Sequence, residues 1–73
     1  MEINKAVSAR IKELCKDKSI TMYQLCALSG VPHTTIISIN NGSSRNPGVG
    51  TIKKICNALD ITLSDFFDSE LFQ

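Results

Sequence analysis

The stretch from Thr21 to Gly42, TMYQLCALSGVPHTTIISINNG, constrains this chain more than any other, because it holds two short helix signals separated by a single glycine turn. Thr21 and Gln24 have the spacing of a capping box, in which each side chain satisfies a free backbone N–H of the first turn. Ile20 and Leu25 are spaced to close a hydrophobic staple over that turn. The helix then runs through Leu25, Cys26 and Leu28 to Gly30, a residue able to take the left-handed conformation that ends a helix. A second helix is predicted to start at Pro32 or His33, since proline's fixed φ and missing N–H are harmless in a first turn. It stops near Asn40 to Gly42.

At about 100° per residue, Ile36 and Ile39 point one way, while Thr34, Ser38 and Asn41 form a stripe pointing roughly opposite. No charged side chain lies between His33 and Ser44. A solvated helix face ordinarily carries Lys, Glu and Arg, whereas short uncharged donors and acceptors suit close approach to base edges. The plainer reading of the same stripe is a polar surface helix in a small bundle. Ile37 is more apolar than its outward-leaning position predicts; it reads as a widened edge of the core before it reads as a contact to a thymine methyl.

The flanking segments supply the rest of a core. With Asn4 as a plausible N-cap, Val7, Ile11, Leu14 and Cys15 fall at i, i+4, i+7 and i+8, an amphipathic helix to about Lys16 whose other faces carry Lys5, Arg10, Lys12, Glu13 and Lys16. After Gly42 the segment Ser43 to Gly48 is a loop by composition. Ile52, Ile55, Cys56 and Leu59 predict a fourth helix over about Val49 to Leu59, with Gly50 in its first turn costing about 1 kcal/mol relative to alanine. Asp60 stands where a helix-ending glycine is expected, and Asp tolerates the left-handed region better than most residues. Thr62 caps a short fifth helix, with Asp65 at N3 and Ile61 and Phe66 spaced as a second staple. Phe67, Leu71 and Phe72 follow in an acidic tail. The expected architecture is all-α: five helices around one core, a single domain over residues 1–73 with its core at about 4–67 and a short tail at 68–73.

A domain of 73 residues buries only roughly 60% of its unfolded surface, so modest stability is expected. No stretch approaches the ~20 apolar residues of a membrane span, and residues 1–10 lack the basic start and apolar run of a signal peptide. Cys15, Cys26 and Cys56 form no C-x-x-C pair, which points to reduced thiols in a cytoplasmic core and to no metal site. Net charge is +1, but residues 1–54 hold all eight basic groups and three of the seven acids, a net of +5, whereas residues 55–73 hold four acids and no base. One part of the chain is positive and the other negative. Catalysis finds no footing: His33, the sole histidine, has no Cys or acidic neighbour in sequence, Ser43-Ser44 has no partner base, and Asp65 with Asp68 is explained by capping and solvation. No cofactor motif is present, and no ligand-sensing domain fits in the chain.

From about Ala9 to Phe67 the chain resembles the phage repressor and Cro family of helix-turn-helix proteins (Xre-type). Arg10-Ile11-Lys12-Glu13-Leu14 resembles the family's first helix, Ile20-Thr21 with Leu25 its second, and Ser29-Gly30-Val31 its turn. Ile36 with Ile39 match the anchors of the recognition helix, Asn41-Gly42 its exit, Asn46-Pro47 the loop, and Ile55 to Phe67 the last two helices. The resemblance implies a compact, lambda-repressor-like domain that binds double-stranded DNA as a transcriptional regulator, places its third helix in the major groove, and takes a near-palindromic operator as a homodimer. It implies that His33, Thr34 and Ser38 reach base edges, and that Thr21, Asn41, Ser43, Ser44 and Arg45 meet phosphates. Met22 stands where the family very often has a glutamine that contacts the DNA backbone, so that contact does not carry over. Cys15 and Asn40 replace an Arg and a Glu that often pair between the first and third helices; losing both together leaves no unpaired charge. The three phenylalanines lie within seven residues, and Phe67, Leu71 and Phe72 are expected to supply part of the dimer contact. The rival function is a helical protein-interaction module, such as an antitoxin or adaptor, which the low net charge and the apolar tail favour.

Overall fold

A computed structural model describes residues 2–41 and 47–73. It contains α1 (Ile3–Asp17), α2 (Met22–Ser29), α3 (His33–Asn40), α4 (Val49–Leu59), α5 (Leu63–Phe67) and a terminal 3-10 turn (Glu70–Phe72), with no strand among the described residues. None of these helices is long and apolar enough to cross a membrane.

Two junctions are built from the same local chemistry. At the end of α1, Ser19 takes a left-handed conformation (φ 57°), its N–H donates to the Lys16 carbonyl, and the Ile20 N–H donates to the Cys15 carbonyl. At the end of α4, Asp60 does the same (φ 58°), with bonds from Asp60 to Asn57 and from Ile61 to Cys56. This pairing satisfies the last carbonyls of a helix. In each case an isoleucine then packs on the core and a threonine starts the next helix with a complete capping box, Thr21 with Gln24 and Thr62 with Asp65. Gly30 ends α2 at φ 73°, a conformation in which any Cβ would be strained.

The first helix starts earlier than its sequence suggests. Asn4 is not its cap: Glu2 occupies that position without a side-chain cap bond, because its carbonyl already accepts the Ala6 N–H at 2.9 Å. Asn4 lies inside the first turn. The tail also departs from expectation, since Ser69 Oγ accepts the Leu71 N–H and residues 70–72 fold back on α1. Phe72 reaches the core and meets Phe66 and Phe67 at ring-centroid distances of 6.0 and 4.9 Å.

The core is one cluster drawn from every helix: Val7, Ile11, Leu14 and Cys15 of α1, Leu25 of α2, Ile36 and Ile39 of α3, Ile52, Ile55, Cys56 and Leu59 of α4, and Phe66 of α5. Leu28, by contrast, is 62% exposed. Arg10 closes the bottom of the bundle: its Nε donates to the Phe66 carbonyl at 2.7 Å and its Nη2 to the Asp65 carbonyl at 2.8 Å, while Nη1 pairs with Glu13. A guanidinium over the last carbonyls of a short helix meets both their hydrogen-bonding need and the negative end of the helix dipole. The sequence placed Arg10 on a non-core face of α1; the structure adds that two of its three nitrogens are spent on carbonyls more than fifty residues away.

All three thiols are free. Burial pushes the Cys15 thiol above its ordinary range, and the neighbouring Cys26 acts in the same direction; burial also raises Cys56, against a smaller lowering by Lys53. At pH 8 an excess of thiol reagent is expected to label half-buried Cys26 first, with Cys15 and Cys56 reacting only on unfolding; mass spectrometry of the labelled protein reads this. Equal rates at all three would contradict it. Because the folded-state values are raised, the stability tied to Cys15 and Cys56 is present below the ordinary thiol pKa of about 8.5 and declines as pH rises through the folded-state values.

Candidate nucleic-acid interface

The turn between α2 and α3 sets the site. Val31, just past the glycine, is buried, its N–H donates to Ser29 Oγ at 3.2 Å, and Pro32 holds φ at −54° ahead of the first residue of α3. The Ile36 N–H closes the first turn on the Pro32 carbonyl. These constraints leave α3 anchored through Ile36 and Ile39, which are 1% and 2% exposed. His33 and Thr34 face outward at its N-terminal end and Asn41 at its C-terminal end, about 12 Å apart along an axis that rises 1.5 Å per residue.

Ser38 differs from its two companions in the predicted stripe. It is half-buried and already has an interaction partner within the fold, because the helix lies deep enough in the bundle for its flank to be covered. Ile37 corrects the sequence reading in the other direction. It is 43% exposed and outside the core cluster, so it is not a widened core edge.

Thr21 is exposed at the start of α2. Its Oγ1 accepts the Gln24 N–H at 3.0 Å and its own N–H donates to Gln24 Oε1 at 2.8 Å, which leaves the hydroxyl proton available as a donor. Met22 turns inward instead, half-buried, with its Sδ 3.8 Å from the Cys15 Sγ. Among the described residues no ion pair crosses the seam between α1 and α3; Ser8, buried, donates its Oγ–H to the Asn40 carbonyl at 3.0 Å. Asn40 Oδ1 is buried without a partner among the described residues. An open groove beside that seam is lined by Lys5, Ser8, Lys12, Asn40 and Asn41. Lys5 and Lys12, which the sequence placed only on the other faces of α1, thus stand next to the end of α3. The helical register did carry this signal, but which neighbour that face meets is decided by the packing of α1 on α3.

Ser43, Ser44 and Arg45 lie outside the described residues. Phe67 and Phe72 are brought together, with Phe67 exposed and Phe72 half-buried against the core, whereas half-buried Leu71 lines a groove with Glu13, Ser69, Glu70 and Gln73. Among the described residues no three His, Cys, Asp or Glu side chains gather as metal ligands.

The model of the Cro/C1-type helix-turn-helix DNA-binding domain matches residues 10–70. The HTH-type transcriptional regulator SlrR of Bacillus subtilis (strain 168) is 34% identical over 55 residues, covering 75% of this chain and 36% of the relative. The chain thus spans little more than a third of that regulator's length. The crystal structure of the prophage Lp1 protein 11 superposes with a TM-score of 0.89 at 30% identity, over 100% of this chain and 97% of the other. With the capped α2, the glycine turn and the anchored α3 all inside the matched span, the chain belongs to the Cro/C1-type helix-turn-helix DNA-binding domain family.

Proposed function

We propose that this domain reads a specific double-stranded DNA sequence with α3 in the major groove and acts as a repressor-like transcriptional regulator in the cytoplasm. The observation that carries the reading is the division of α3: its apolar pair is sealed in the core while His33, Thr34 and Ile37 are turned out on a helix without charge. His33, Thr34 and Ser38 are the base-contacting candidates, with Ile37 against a thymine methyl. Thr21 and Asn41, at the two ends of the motif, meet phosphates, joined by Ser43, Ser44 and Arg45. Lys5 and Lys12 add positive charge on the same flank. A homodimer on a near-palindromic operator fits the exposed Phe67 with Leu71 and Phe72 as the two-fold contact, placing two recognition helices about 34 Å apart along the DNA.

Selection of oligonucleotides from a random pool, followed by sedimentation of the complex, tests all of this. Enrichment of a near-palindrome bound by two protomers is expected, with Phe72→Asp reducing the stoichiometry to one. Within that experiment Arg45→Ala is expected to weaken all sequences about equally and to flatten the salt slope by roughly one unit. A change in base preference instead would remove Arg45 from the phosphate set. The exposed Leu28 and Val49 favour the second reading, a protein-interaction module such as an antitoxin or adaptor. Binding to random DNA that persists unchanged from low to moderate salt, or is absent altogether, would favour it, since phosphate contacts are salt-dependent.

A further inference from the structure

We infer that Tyr23 is a positioning residue for DNA readout, its ring holding the His33 imidazole in the orientation that sets preference at one base position of each half-site; this rests on the reading of α3 as the base-contacting helix. Tyr23 is the second residue of α2 and 71% exposed. A large ring on a solvated helix face gains nothing from the core, yet this one is engaged. It meets His33 across the turn with ring centroids 5.6 Å apart and planes at 80°, the edge-to-face arrangement that aromatic quadrupoles favour. The pair therefore bridges the starts of the two helices of the motif.

His33 needs such a restraint. It opens α3, is exposed, and follows a position that supplies no side-chain cap bond. An exposed imidazole with two free torsions exchanges rotamers on the ps–ns timescale, and it reads a base edge only when one ring nitrogen is held at a fixed donor or acceptor position. Pro32 fixes the backbone leading into His33. Tyr23 fixes the other side, by packing against the ring itself. The contact uses the ring and not the hydroxyl, so phenylalanine preserves it.

Because His33 is the only histidine, its imidazole proton resonances report directly on this contact in the free protein. Tyr23→Ala is expected to move them toward their random-coil positions, and Tyr23→Phe to leave them in place. In base-by-base binding profiles, Tyr23→Ala is expected to reduce discrimination at one position per half-site by roughly 2- to 10-fold, the scale of an edge-to-face ring contact, with Tyr23→Phe unchanged. Tyr23→Ala combined with His33→Ala is expected to lose no more than His33→Ala alone. A profile altered by His33→Ala but not by Tyr23→Ala would overturn the inference and leave the DNA-reading function intact. So would a uniform loss across all sequences shared by Tyr23→Ala and Tyr23→Phe, which marks the hydroxyl as a phosphate contact. A wild-type protein that selects no sequence at all would overturn both.

Discussion

Phe66→Ala is expected to lower stability by about 3–5 kcal/mol, the cost of deleting a buried aromatic ring. Phe66 is 0% exposed and joins α5 to the rest of the bundle, with Phe67 and Phe72 packed against its ring at 5.0 and 6.0 Å. A domain of this size has about 4–11 kcal/mol in total, at 0.05–0.15 kcal/mol per residue. The variant should therefore be partly or wholly unfolded at physiological temperature, which thermal or urea melting would reveal. Phe67→Ala, at an exposed position of the same cluster, should cost under about 1 kcal/mol. If the two variants melted alike, α5 and the terminal turn would not be packed on the core through Phe66.

The second large effect divides α3 into its two faces. Ile36→Ala is expected to cost about 2–5 kcal/mol of stability, since Ile36 is 1% exposed within the core cluster. Thr34→Ala, at an exposed position, should leave the melting temperature nearly unchanged and alter operator preference at one base position per half-site by roughly 1–3 kcal/mol. His33→Ala should behave in the same way at a neighbouring base. Ser38→Ala is the sharper case because Ser38 is half-buried: a loss of 1 kcal/mol would lower the melting temperature of so small a domain by roughly 4–8 °C, so a shift of that size would show its partner within the fold to matter. Melting curves beside base-by-base binding profiles separate these effects. Were the outward variants to lower stability while DNA preference stayed the same, α3 would be turned the other way and the protein-interaction reading would replace the present one.

What the sequence determined by itself was most of what acts within one helical turn, the start of α1 at Glu2 and the left-handed Ser19 excepted. Both capping boxes, the left-handed Gly30 and Asp60, the bounds of α4 and the buried pair on α3 follow from residues no more than four or five positions apart, whose preferences are set by backbone hydrogen bonds and helical period. That local grammar was enough to give five helices and a helix-turn-helix. It was not enough where a side chain has to choose among distant neighbours. Arg10 was legible as a cation on a helix face, yet its target, the carbonyls of Asp65 and Phe66, exists only once α5 is docked against α1. Period alone left Leu28 among the apolar residues of α2, Ile37 at the edge of the core and Ser38 facing outward, because it gives an angle around one helix axis and not the depth to which neighbouring helices cover it. The ring contact of Tyr23 with His33 and the return of the tail onto α1 have the same origin. Each depends on the distance between two elements, which only the closing of the shared core around Leu25, Ile36, Ile55 and Phe66 decides.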